Sequence, residues 1–222
     1  MKLIVFGASG QVGKHVLAQA VAAGHEVTAV VRDPAKVAEY PVRTVTADLA
    51  AVGRMQLAEI ILGADAVLSA VGPAGNAGAG VASKATVAII DAMRDAGVDR
   101  LIVVSAAPVR TTPSPGRPNP PKRDPGDGPF LKYVIYPIVK AVLRPQYLDL
   151  AVMEDALRGS GLEWTAIRPV QLNDKALTGT YRTALGENLP GGRYISRADV
   201  AHCMLRALEW PETVGQAVGM AN

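Results

Sequence analysis

Cysteine occurs once in 222 residues, phenylalanine and tryptophan twice each, and histidine three times. The single cysteine, Cys203, excludes an intrachain disulfide and a cysteine-rich zinc site, and it fits a reducing, cytoplasmic setting. The histidines (His15, His25, His202) are scattered without ligand spacing, so no metal is expected. Aromatics make up only 5% of the chain, leaving Ala, Val, Leu and Ile to fill the core. No run approaches the roughly 20 apolar residues of a membrane-spanning helix. The apolar start, Leu3–Phe6, meets glycine too soon for a signal peptide, so no membrane partner is expected.

What is present points to one folded domain. Hydrophobic residues reach 49% and charged residues 19%, which excludes a disordered chain. Short apolar runs at Leu3–Phe6, Glu26–Val31, Val42–Thr46, Ala66–Val71 and Arg100–Ser105 read as strands. Helical spacing separates most of them, at Val12–Ala23, Arg54–Leu62 and Val81–Ala96. Strand–helix alternation predicts a doubly wound parallel α/β sheet with helices on both faces. Eight of the sixteen prolines then fall between Pro108 and Pro129, which predicts an exposed insertion at 108–129. An extra helix is expected at 130–144, a better one at Tyr147–Arg158, and a strand at Glu163–Arg168. A late helix follows at Asp199–Glu209, with Ser196 near its cap, and a closing strand at Val214–Met220.

Gly7-Ala8-Ser9-Gly10-Gln11-Val12-Gly13 is the most informative segment. It leaves a strand, opens a helix, and a second strand follows soon after, the setting of a dinucleotide-binding loop. Gly7 permits the tight turn, Gly10 lets the backbone approach a pyrophosphate, and Gly13 lets the helix pack on the sheet. The first N–H groups of that helix would face the anion. At the end of the second strand an NAD site usually carries an acid for the ribose 2′-hydroxyl. Here Arg32 stands in that place, which favours a 2′-phosphate and hence NADP(H) over NAD; Asp33, directly after it, is the competing group. Two further strand-end loops complete the expected site: Asp48-Leu49, facing adenine, and Ala70-Val71-Gly72, whose small side chains let the chain pass close to a ribose.

Together these residues resemble the atypical short-chain dehydrogenase/reductases, in particular the NmrA-like NAD(P)H-binding group that includes biliverdin reductase B-type flavin reductases. The resemblance rests on Leu3 to Gly13, Val31-Arg32-Asp33-Pro34, Asp48-Leu49, Asp149, Met153-Glu154, Leu157, Ser160-Gly161-Leu162, Trp164-Thr165 and Arg168-Pro169. It implies a single Rossmann-like domain over 1–222, cofactor contacts that include Pro169, and a strand-end serine, Ser105, beside the nicotinamide. Ser105 either touches substrate or cofactor or satisfies local backbone.

Typical members use a Tyr-xxx-Lys pair as proton donor and its tuner. Tyr136 and Lys140 have that spacing. The register counted from Glu154 instead puts Gln146 and Leu150 at those positions, with Tyr147 one residue off. Carbonyl reduction needs that acid, whereas flavins and quinones accept hydride readily and take a proton from solvent. The leading expectation is therefore an NADP(H)-dependent reductase of a small flat acceptor (flavin, quinone or conjugated carbonyl). A non-catalytic NADP(H) sensor is the second reading and a sugar-nucleotide epimerase or dehydratase the third. Asp149 and Glu154 read as partners for backbone or arginine rather than as an acid/base couple, and Trp164 as core.

The net charge of +3 is unevenly placed. Between Arg110 and Arg144 lie seven Lys/Arg and two Asp, a local +5, so the rest of the chain carries −2. The basicity belongs to the insertion and its helix and gives no support for a nucleic-acid partner. It suits an anionic acceptor.

Overall fold

The computed structural model describes residues 1–72, 80–122 and 136–222, with the side chains of 136–142 outside the description. Its centre is a sheet of eight strands. In chain order these are β1 (Lys2–Phe6), β2 (Glu26–Val31), β3 (Arg43–Thr46), β4 (Ala66–Ser69), β5 (Arg100–Val104), β6 (Glu163–Pro169), β8 (Arg182–Leu185) and β10 (Gln216–Ala221), in spatial order β3-β2-β1-β4-β5-β6-β10-β8. All pairings are parallel except that of β8 with β10. Two further short strands, β7 (Gln171–Asn173) and β9 (Tyr194–Ser196), pair with each other.

Every residue of β4 and all but Lys2 of β1 are buried. A strand can be apolar on both faces only if helices cover both, and they do. Helices α1 (Gln11–Ala22) and α5 (Arg197–Arg206) share one face, while α2 (Arg54–Ile61), α3 (Val81–Ala96) and α4 (Tyr136–Arg158) cover the other. Val12, Val16, Leu17 and Ala20 of α1 fill the first core with Val200, Ala201 and Met204 of α5. Ile89 and Met93 of α3 and Met153 and Leu157 of α4 fill the second, with Trp164 packed against it. This is the doubly wound α/β arrangement expected from the strand–helix alternation.

At the start of β5, Arg100 acts as a buried tie. Its Nη1 donates to the Glu163 carbonyl at 2.7 Å and to Thr165 Oγ1 at 2.9 Å, and its Nη2 donates to the Ala207 carbonyl at 2.6 Å. A guanidinium is tolerated there because its donors are taken up by carbonyl and hydroxyl oxygens.

Two expectations change. The stretch after Pro108 is not exposed at its start. Ala107–Thr111 forms a 3-10 helix with Val109 fully buried, and Ser114 and Arg117 close a tight turn by mutual backbone hydrogen bonds of 3.1 and 3.0 Å. Asp155 holds that turn on α4, accepting from Ser114 Oγ at 2.9 Å and from Gly116 N–H at 2.7 Å. A side chain at 116 would meet the Asp155 carboxylate, its Cβ falling 2.7 Å from Cγ. The prolines therefore stiffen a docked segment, satisfied by an acid that the local sequence does not reveal. Second, the helices expected at 130–144 and Tyr147–Arg158 are continuous where described. The segment 136–158 is one helix of 23 residues that runs through Pro145. Proline removes one ladder donor there, and the apolar stripe below it, Leu150, Met153 and Leu157, compensates by burial. Residues 123–135 of the insertion and its helix lie outside the described residues.

Candidate functional site

The order of the strands reverses between β1 and β4, and open α/β sheets bind ligands at the carboxyl ends of strands beside such a point. Register aligns those ends. Phe6 pairs with Val30 on one side and with Ser69 on the other, and Val104 pairs with Ile167. The loops leaving this edge therefore carry Gly7–Gly13, Arg32, Asp48, Ala70–Gly72, Ser105 and the residues after Pro169.

The glycine loop is built around backbone contacts that no side chain would allow. Gly7 has φ +69°, and a Cβ on it would lie 2.7 Å from the carbonyl carbon and oxygen of Ala70 and from Val71 N. A Cβ on Gly13 would lie 2.1 Å from the Gly7 carbonyl oxygen. Gly10 is the N-cap of α1, and its N–H donates back to the Gly7 carbonyl at 2.9 Å. These contacts pack α1 hard against the turn. The helical ladder begins with Lys14 N–H on the Gly10 carbonyl at 3.0 Å, so the N–H groups of Gln11, Val12 and Gly13 stand ahead of it. Among the described residues no side chain caps this end, and no acid sits in its first turn. Gln11 is exposed and Ser9 half-buried.

Helix α3 makes a useful contrast. Its N-terminus opens from the same edge, after β4, but there Asp149 of α4 accepts from Ala82 N–H and Ser83 N–H, both at 3.0 Å. One helix start is neutralised by the protein's own carboxylate, and the other presents its donors and its positive dipole end. The open one lies under the glycine loop, so Gly7, Gly10, Gly13 and the first turn of α1 fit a dinucleotide pyrophosphate.

At the end of β2, Arg32 is exposed and makes no hydrogen bond or ion pair with a described residue. Asp33 is committed elsewhere, since it caps the 3-10 helix Pro34–Val37 by accepting from Ala35 N–H at 3.1 Å. Asp48 is exposed after β3, with its Oδ1 accepting from Ala50 N–H at 3.0 Å, and Leu49 is half-buried. Ala70 donates its N–H to the Phe6 carbonyl at 3.0 Å, holding the β4 loop against the glycine turn. Val71 is half-buried and Gly72 exposed.

The far side of the edge holds a buried charged network. Ser105 follows β5 and is 4% exposed. Its Oγ donates to Glu154 Oε1 at 2.7 Å. Arg168, near the end of β6, donates from Nε to Oε1 of the same glutamate at 2.8 Å and from Nη2 to Oε2. Arg158 Nη2 adds a bond to Oε2 at 3.0 Å. Glu154 is thus a buried carboxylate satisfied by two guanidiniums and a hydroxyl, and Asp149 serves backbone donors, as the sequence suggested for both. Ser105 satisfies this carboxylate rather than local backbone. Pro169 is buried at the end of β6.

Tyr147 lies half-buried against the second core, and burial pushes its hydroxyl above the ordinary tyrosine range. It makes no hydrogen bond with a described residue, and at neutral pH it holds its proton. Tyr136 and Lys140 lie on the same helix, with side chains outside the described residues. Elsewhere, Tyr181 Oη and His202 Nδ1 are 2.8 Å apart, and burial pushes the Cys203 thiol up to about 11, which leaves it unreactive.

A family model described as NAD(P)H-binding matches residues 7–211. The chain belongs to the NAD(P)H-binding family. Among relatives, YwnB of Bacillus subtilis is 32% identical, with 96% of this chain and 94% of that protein covered. The uncharacterised sugar epimerase YhfK of the same species is 27% identical over 100% of this chain and 94% of its own. Among solved structures, one from Streptococcus pneumoniae, provisionally named an NADH-flavin reductase, superposes with a TM-score of 0.73 at 27% identity, covering 100% of this chain and 99% of that one. The oxidoreductase YlbE of Lactococcus lactis shares the fold, with a TM-score of 0.80 at 21% identity, covering 100% and 91% of the two chains. In this NAD(P)H-binding chain, sequence reasoning singled out the glycines and Arg32. It missed the convergence of Ser105, Glu154, Arg158 and Arg168, which sit on three separate elements. The only local signal was the spacing Glu154–Arg158, one helical turn apart.

Proposed function

We propose that this chain is an NADP(H)-dependent reductase of the NmrA-like, flavin-reductase kind that passes hydride to a small flat acceptor. The single observation carrying this reading is the pairing at the dinucleotide edge. Among the described residues, no side chain caps the α1 start beneath the glycine turn and none engages Arg32 beside it, while the competing acid, Asp33, is tied into its own cap. In this reading Gly7, Ser9, Gly10, Gln11, Val12 and Gly13 hold the pyrophosphate, and Arg32 holds the 2′-phosphate. Asp48 and Leu49 flank adenine, while Ala70, Val71, Gly72 and Pro169 pass close to the ribose and nicotinamide. The cofactor supplies the hydride, and the chain positions the acceptor and excludes water. The Streptococcus pneumoniae relative's name supports a flavin as acceptor, although it names NADH rather than NADPH. The basic residues of the docked segment, Arg110, Arg117 and Lys122, favour an anionic one. Its partner is a small molecule rather than a nucleic acid or a membrane.

The test is NADPH oxidation against riboflavin, FMN, a quinone and a simple ketone. Turnover is expected with a flavin or quinone and at most weakly with the ketone. Tight NADPH binding with no turnover on any acceptor would move the assignment to the sensor reading.

A further inference from the structure

We propose that the outer face of α2, α3 and α4 is a two-fold interface with a second copy of this chain, centred between Val87 and Ala88 of α3 and registered by Lys84 against the partner's Asp91. This inference goes beyond the reductase reading and does not depend on it.

The two helical layers differ in what they show to water. Among the described residues, α1 and α5 expose no large apolar side chain, whereas Met55 of α2, Val81 and Val87 of α3 and Val152 of α4 are all exposed. Helix α3 is the middle one of its layer, packed on α2 at one side and on α4 at the other. A groove of about 510 Å³ runs over it, walled by Leu57, Val87 and Val152 and carrying Lys84 and Asp91. An exposed apolar patch beside charges marks an interaction surface.

The charges decide the kind of partner. Arg54, also at the groove, is held by Asp95 through bonds of 2.5 and 2.6 Å. Lys84 makes no hydrogen bond or ion pair with a described residue, and Asp91 has a long, 3.4 Å contact with Arg94. Arg54 and Lys84 balance Asp91 and Asp95, so the groove has no net charge with which to draw a strongly acidic or basic partner. What it has is an order. Lys84 and Asp91 are seven residues apart on one face of α3, two helical turns or about 10.5 Å. Their midpoint falls between Val87 and Ala88. A two-fold axis at that point runs a second α3 antiparallel to the first. It sets Lys84 opposite the partner's Asp91, and Asp91 opposite the partner's Lys84. Ala88 is small enough at the crossing for the two helices to come close, and Val87 is covered beside it. A second copy supplies this mirrored order by symmetry alone. The size agrees as well. Helix α3 has 16 residues, so the layer is about 24 Å long and, with three helices side by side, about 27 Å wide. Its plan area of about 650 Å² is close to the roughly 800 Å² that each partner gives to a stable interface.

Sedimentation velocity of the full chain, from low to high micromolar concentration, tests this. The expected species is twice the chain mass of 23.1 kDa. Lys84→Glu and Asp91→Lys are each expected to weaken dimerisation by about tenfold or more, because the two-fold repeats every lost ion pair and replaces it with a like-charge one. The double variant, Lys84→Glu with Asp91→Lys, rebuilds both pairs with their signs exchanged and is expected to recover the dimer. Val87→Lys brings like charges together at the axis and is expected to give a monomer. These side chains are exposed or half-buried, so the variants keep the fold, which thermal melting and unchanged NADPH affinity confirm. A monomer at every concentration overturns the inference. So does a dimer that neither single reversal weakens, since it lies on another face. A double variant that stays monomeric overturns it too, because Lys84 and Asp91 then do not pair across the axis. Each of these results leaves the reductase reading to its own acceptor panel.

Discussion

The residue whose environment is least forgiving is Gly13. Any side chain there places its Cβ 2.1 Å from the Gly7 carbonyl oxygen and 2.8 Å from Ala8 Cα, both backbone atoms of the cofactor turn. Gly10 is more tolerant, with its nearest contact at 3.1 Å. Gly13→Ala is therefore expected to lower unfolding stability by about 2 kcal/mol and to weaken NADPH binding at least tenfold. Gly10→Ala should do less of both. Denaturant unfolding and a fluorescence titration check the pair, and equal effects would show that Gly13 is not the more closely packed of the two. The glycines and Arg32 were legible because their constraints are local: a turn, a helix start and a strand end fix what each position can be. Ser105 was legible only as a position. Its hydrogen-bond direction depends on Glu154 and Arg168, 49 and 63 residues further along the chain, and no local pattern encodes that meeting.

At the scale of elements, the loop at Thr178–Gly179 is tied to the start of α5 by one carboxylate. Asp199, fully buried, accepts from Thr178 N–H and Gly179 N–H, both at 2.9 Å, and from Ser196 Oγ at 2.7 Å. Ser196 returns the favour as N-cap, accepting from Asp199 N–H at 2.9 Å, so cap and acid bond each other while the acid also ties down a loop. Burial raises the Asp199 carboxyl, but the hydrogen bonds from Ser196, Thr178 and Gly179 outweigh it and leave it below the ordinary carboxylate range. A depressed folded-state value means stability that is present above the unfolded value and lost as pH falls through the folded one. Asp199→Asn is expected to reduce stability by about 1–3 kcal/mol at neutral pH, with the gap to the parent protein closing below about pH 4. A constant gap from neutral to acid pH would contradict this.

Long elements with strong periodicity were legible: β2 and α3 have the limits their patterns predict. The strands β7, β8 and β9 were not, because they lack the apolar run that marks the equally short β4 and are defined by their partners rather than their own pattern. The docked turn at Ser114–Arg117 was hidden for the same reason, since its anchor, Asp155, lies on another element.

At the scale of the molecule, two helix starts at one sheet edge receive opposite treatment. Asp149 closes that of α3, and among the described residues no side chain closes that of α1. The sheet reversal, the glycine turn and the open dipole coincide there, and β2 delivers Arg32 to the same edge. The described part of the basic segment after Pro108, residues 108–122, is joined to this architecture through Asp155 and the buried Val109. Fold class followed from alternation alone, whereas the Ser105–Glu154–Arg168 network depends on contacts between elements distant in sequence. The central claim is that this edge is built for a dinucleotide with a 2′-phosphate. Fluorescence titration of NADPH and NADH tests it most directly. NADPH is expected to bind more than tenfold tighter, consistent with charge-assisted hydrogen bonds of about 1.5–3 kcal/mol, and Arg32→Ala to erase the difference. NADH binding as tightly as NADPH to the intact protein would contradict the account.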